Sequence, residues 1–195
     1  EFVIAVISKE RFLDMENSSS NAGCTIKFRE DSIFLDPRNT ELGARIVTNL
    51  EKLYLSLKKL GLQSVNKNEY YKLSHEIGIP QINTEKLQNK LFGIECNFDE
   101  LNAIDFKKGC YVGQENTARM KLKNKLRRRL LPISSSKKLN IGDEITFNDI
   151  KIGKILIDQP YPFGLIKVFE PNLEDFIDKK LLANNKECKI LEHVK

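Results

Sequence analysis

From residue 128 onward the chain is written in short β-rich runs, and this pattern constrains its fold more than any other feature. Residues 128–133, 144–147, 150–157 and 165–168 are strand candidates. They are separated by Pro132 and a Ser/Lys run, by Asn140-Ile-Gly-Asp, by Asn148-Asp149 and by the Pro/Gly-rich QPYPFG. Strands this short, at this spacing and with these turn residues, close best as a small antiparallel β-barrel. The preceding residues mix helical and strand patterns. The chain therefore reads as α+β, with a central domain over residues 1–125 and a barrel domain over 126–195.

In the first part, residues 2–7 read as a buried strand because every position is apolar. Ser8 opens SKER, close to the S-x-x-E capping box, and predicts a short helix to about Glu16. Residues 17–23 are a loop by composition. Residues 24–28 and 32–35 form a predicted hairpin, ended at Asp36-Pro37-Arg38 because proline cannot donate to a ladder. Leu53, Leu57 and Leu60 mark a helix over 51–60 that stops at Gly61. A second helix covers 68–77, before Gly78 and Pro80. Residues 81–91 read as a loop with one helical turn at most, 92–96 as a short strand, and 113–123 as a third helix.

The chain has 195 residues, 41% hydrophobic and 30% charged, enough for a substantial core in one or two domains. No apolar run approaches the roughly 20 residues of a membrane span, so no membrane association is expected. The apolar start lacks the basic region and cleavage site of a signal peptide, which predicts a cytoplasmic protein. The four cysteines, Cys24, Cys96, Cys110 and Cys188, form no C-x-x-C, and neither His75 nor His193 is near one in sequence. Free thiols are expected, and no metal site. The net charge of +5 is too small to imply nucleic acid by itself.

Chemistry concentrates in residues 107–115, KKGCYVGQE. Cys110 follows Lys107 and Lys108 and precedes a predicted helix start. Two ammonium groups and a helix N-terminus would stabilise its thiolate. Gly109 and Gly113 permit close backbone approach to a ligand. Tyr111 offers a stacking face, and Gln114 and Glu115 offer donors and acceptors for a heteroaromatic edge.

This run resembles the signature K-G-C-Y-x-G-Q-E of the YgfZ family, relatives of the glycine-cleavage T-protein (aminomethyltransferase). Supporting segments resemble the family in order: FLDPRNTELGAR at 34–45, FDELNAIDF at 98–106, TARM at 117–120 and IKIGKI at 150–155. The resemblance implies a T-protein-like central domain followed by the barrel. It implies a tetrahydrofolate-binding protein that supports iron–sulfur cluster assembly or repair, and through it tRNA thiomodification. Its partners would be iron–sulfur enzymes or assembly factors. Carried over by position, Lys108, Cys110, Tyr111, Gln114 and Glu115 would contact the folate, with Cys110 the candidate reactive group. Arg38 is a further candidate, for the folate glutamate. The family's N-terminal segment, which holds part of the folate site, is not found in this sequence.

Two other functions compete. Aminomethyl transfer needs the T-protein's catalytic Asp, but anchoring on Gly78 and Pro80 places Tyr71 there, with Ser74 in place of an Arg. A classical aminomethyltransferase is therefore not expected. The basic run Lys121 to Arg129 would suit RNA, including tRNA, but Leu122 and Leu126 at i, i+4 favour a solvated helix end leading into the barrel. His75 is expected at the surface, and Cys24, Cys96 and Cys188 in the core or without a role.

Overall fold

A computed structural model describes residues 1–109, 114–122 and 126–191. It contains a four-stranded sheet, a closed six-stranded barrel and several helices, so the α+β class and the barrel are borne out. Contacts divide the chain into two compact units, Glu1–Tyr70 and Tyr71–Lys195.

In the first unit, β1 (Phe2–Ile7) leads to α1 (Lys9–Leu13), whose first turn is capped by Ser8 Oγ accepting from the Arg11 N–H. The hairpin β2 (Thr25–Phe28) and β3 (Asp31–Leu35) turns on Arg29 and Glu30. Both have positive φ, as a two-residue type I′ turn requires. β4 (Ala44–Asn49), which sequence patterning did not reveal, inserts between β1 and β3 to give the antiparallel order β1-β4-β3-β2. Across the inner face, Ala5, Ile46, Ile33 and Ile26 lie in register, and Phe12 of α1 completes this core. β1 differs from expectation: it is an edge strand buried on one side only. Phe2 and Ile4, on its outer face, are 80% and 65% exposed. Asn49 Oδ1 accepts from Glu51 N–H to start α2 (Leu50–Leu60), and Gly61 ends it in the left-handed conformation.

In the second unit, the barrel strands are β5 (Arg128–Ser134), β6 (Glu144–Phe147), β7 (Ile150–Ile157), β8 (Phe163–Lys167), β9 (Leu181–Ala183) and β10 (Lys186–Ile190). They close antiparallel in the order β10-β5-β8-β7-β6-β9. The turns at Asn148-Asp149 and Asn184-Asn185 again place two positive-φ residues between paired strands. Ile133, Leu139, Ile145, Ile152, Ile155, Ile166, Phe176 and Leu181 fill the core, all essentially inaccessible to solvent. Gly153 is required where β7 meets β8, since a Cβ there would lie 2.6 Å from Leu165 O.

The helix α3 (Lys67–Glu76) runs across the division between the two units. His75 overturns the surface expectation: only 8% of it is exposed. Its Nε2 lies 2.9 Å from Pro162 O, and its ring packs edge-on to Phe163 at 5.2 Å. Polar neighbours in sequence masked a residue whose side chain points into the β7–β8 connection. Burial lowers its pKa, although the Pro162 carbonyl and Glu76 act in the opposite direction. The segment at 92–96 is a 3-10 turn (Gly93–Cys96), not a strand, because Glu95 Oε2 turns back to accept the Phe92 N–H.

Two predictions follow from these packings. Gly43 has φ 78° and ψ −163°, and a Cβ there would sit 2.0 Å from Ile7 O. Gly43→Ala should therefore destabilise the protein by about 2–4 kcal/mol in urea denaturation. Because the folded-state pKa of His75 is depressed, the unfolded chain takes up its proton first as pH falls. The stability this residue contributes is complete above its ordinary value and declines below it. Unfolding free energy measured from pH 7.5 to 5.5 should fall more steeply for the wild type than for His75→Gln.

Candidate functional site

The signature segment leads into α4 (Gln114–Leu122). Lys108 and Glu115 are exposed, the Lys107 N–H donates to Asp105 Oδ1 at 2.8 Å, and Cys110 and Tyr111 lie outside the described residues. At the far end of α4, Lys121 pairs with Asp99 and lies over the Phe106 ring. The helix is thereby tied to the stretch that precedes the signature.

That stretch is in turn fastened to the first barrel strand. Asn97, in the left-handed conformation that Asn tolerates well, ends the 3-10 turn and is buried. Its Nδ2 donates to Leu130 O and its Oδ1 accepts from Arg129 Nε. Arg129 also reaches Glu100 at 2.6 Å, and Arg128 Nε donates to the buried Glu95 at 2.9 Å. The charges of Lys121, Arg128 and Arg129 are thus committed within the fold, which supports the structural reading of the basic run over an RNA surface.

These fastenings frame an open groove of about 670 Å³. Phe92, Met120, Leu126 and Phe169 supply its apolar surface; Arg127, Arg128 and Lys167 face Glu95 and Glu170. Arg128 is held by Glu95, while Arg127 and Lys167 have no ion-pair partner among the described residues. The groove offers apolar and aromatic walls with cations at hand, suited to a planar or apolar group carrying an acid. Sequence reasoning missed it because its residues come from four separate segments. The one local signal was Asn97, a residue type favoured where φ is positive.

Arg38 belongs to a different cluster, in the first unit. Asp36, only 1% exposed, takes a side-on pair from Arg38 through Nε at 3.0 Å and Nη2 at 2.8 Å. Arg45 Nε approaches the same Asp36 oxygen at 2.9 Å, and Arg45 Nη2 donates to Tyr70 Oη at 2.6 Å. Burial would raise the Asp36 pKa, but hydrogen bonds from Arg38 and the charges of both arginines outweigh it and hold the carboxyl below its usual range. The hydrogen bond to Asp36 raises that of Arg38 despite its partial burial.

The remaining residues singled out by sequence have structural settings. Tyr71 packs edge-on to Tyr161, with ring centroids 6.5 Å apart, and Ser74 Oγ donates to Ile79 O. Burial pushes the thiols of Cys96, beside Glu95, and Cys188 up to about 11, so both are poor nucleophiles at neutral pH.

The described residues form an α+β protein in which a closed barrel is fastened to the turn and the helix that flank the KGCYVGQE run. No family model matches the chain. Among curated proteins it is similar to mitochondrial iron–sulfur cluster assembly factor IBA57 homologues, and the recognition of a YgfZ-type chain is borne out by them. The Dictyostelium discoideum homologue is 35% identical over 108 residues, 55% of this chain and 26% of that protein. The Neurospora crassa homologue is 37% identical over 97 residues, 50% and 22%. The Aspergillus oryzae homologue is 32% identical over 131 residues, 65% and 26%. The matched stretch thus spans about a quarter of the length of these relatives. All three are mitochondrial proteins by name, which contradicts the expected cytoplasmic location. The error came from weighing the absence of a secretion signal as evidence for the cytoplasm.

Replacing Asn97 with alanine should strand the Leu130 carbonyl and put alanine at positive φ. A loss of about 2–3 kcal/mol in thermal or urea denaturation is expected.

Proposed function

We propose that this chain acts in iron–sulfur cluster assembly in the mitochondrion and does so as a tetrahydrofolate-binding protein. Its similarity to the IBA57 homologues carries the first part of this reading. The signature run and the groove beside α4 support the second.

The residues present fit a folate. Its bicyclic ring and benzoyl group suit the surfaces of Phe92, Phe169 and Met120, and its glutamate carboxylates suit Arg127 and Lys167. The groove volume lies in the range that accommodates a molecule of this size. Lys108, Cys110, Tyr111, Gln114 and Glu115 would complete the contacts, as the signature implies. Residues 1–125 would then be the T-protein-like part of the chain. Tyr71 provides no carboxylate to a folate amine, so the reading is one of binding and support of cluster assembly rather than aminomethyl transfer. Partners would be iron–sulfur assembly factors or the enzymes they serve, and the enzymes that thiomodify tRNA would be affected through their clusters.

Equilibrium binding of 5-formyltetrahydrofolate to the natural full-length protein tests the folate site. Charge reversal at Arg127 and Lys167 together should weaken binding roughly tenfold or more; unchanged affinity would place the folate elsewhere. Cells depleted of the protein should lose mitochondrial iron–sulfur enzyme activity. Failure of Cys110→Ala to restore it would establish a role for the thiol, and full rescue would exclude one.

A further inference from the structure

The cluster around Asp36 has an unbalanced charge. One buried carboxylate serves two guanidinium groups, and among the described residues the other side chain paired with Arg45 is a neutral phenol, Tyr70. Arg38 and Arg45 are about a quarter to a third exposed, so the surplus positive charge is partly withdrawn from water yet open to a ligand. The two arginines do not have equal roles. Asp36 engages the Nε–Nη2 edge of Arg38 and also accepts its backbone N–H at 3.0 Å, locking it in place. Arg45 meets Asp36 through Nε alone, with its N–H poorly aligned on the oxygen, and gives Nη2 to Tyr70; its Nη1 has no partner among the described residues. The Arg45 guanidinium also lies 5.9 Å from the centroid of the Tyr70 ring, which limits its freedom.

We infer that Arg45, oriented by Asp36 and Tyr70 and backed by Arg38, is the centre of an oxyanion-binding site for a carboxylate or a phosphate group. A buried carboxylate that orders two guanidinium groups without cancelling them provides a preorganised receptor, because the arginine entropy is already spent before the ligand arrives. Outward-facing apolar side chains flank it: Val6 and Phe34 are the register partners of Arg45 on the two neighbouring strands. The ligand class is therefore an oxyanion attached to an apolar body. The site is independent of the groove in the second unit and does not rest on the folate reading.

The test is a thermal-shift titration with inorganic phosphate and, separately, with glutarate, ionic strength being held constant with sodium chloride. A saturable rise in Tm is expected with one or both anions beyond the chloride control. A response to phosphate alone or glutarate alone identifies which oxyanion the site selects. Arg45→Gln should lower the apparent affinity roughly tenfold, whereas Tyr70→Phe, which releases Nη2 for the ligand, should keep it or raise it. A wild-type response equal to chloride, or an undiminished response in Arg45→Gln, overturns the proposal. If Arg45→Gln does not fold, the Arg45 Nε–Hε resonance of the wild type decides. It must move saturably with the anion and not with chloride, and a stationary resonance rejects the site. No folate is present in these measurements, so their outcome is separate from that of the folate experiment.

Discussion

The hydrogen-bonded fastening of Asn97 to the first barrel strand is the interaction on which the candidate groove depends. One amide side chain satisfies a buried carbonyl of Leu130 and receives Arg129 from the same strand. Glu95 and Glu100, on either side of Asn97, take Arg128 and Arg129. Lys121 then ties α4 to Asp99 within the same turn. Exposed ion pairs are worth little individually. Here the ends at Glu95 and Asn97 are buried, and that burial makes the arrangement specific. The helix that follows the signature, a 3-10 turn and the first barrel strand are held in one frame.

The barrel was legible because its turns are written in unambiguous residues. β6 and β7 were readable at their observed limits because Asn148-Asp149 sits between two alternating runs. β9 and β10 were not, although Asn184-Asn185 has the same geometry. Their strands are three and five residues long and carry Lys186 and Glu187, too little apolar pattern to stand out. β4 escaped for a related reason: its outward positions are Arg45, Val47 and Asn49, so its inner face of Ala44, Ile46 and Thr48 does not read as a β stripe. The stretch before Asn97 looked extended because Phe92 and Ile94 alternate, but a carboxylate three residues ahead of a free amide favours a turn.

For the candidate site, local sequence singled out a segment but not its surroundings. KKGCYVGQE drew attention to α4, yet the groove next to that helix is assembled from side chains more than seventy residues apart, Phe92 to Phe169. No local pattern reports such convergence. Arg38 was singled out, while Arg45 and Tyr70 became visible only once β4 had been placed beside β3 and α3 followed it. His75 shows the same limit in reverse: the polarity of its helix hid a contact decided by a carbonyl 87 residues away.

The strand order of the barrel also governs how the protein is made. β5 lies between β8 and β10, so the strand that opens the barrel in sequence is also the one that seals it. During synthesis β5 gains its β8 partner first and stays open along its other edge until β10 has left the ribosome. The ring is therefore closed by the barrel's strand pairing of greatest sequence separation, the kind that forms slowly and leaves a bare strand edge in the meantime. The interval before that last strand arrives is when the nascent chain is most exposed to mispairing.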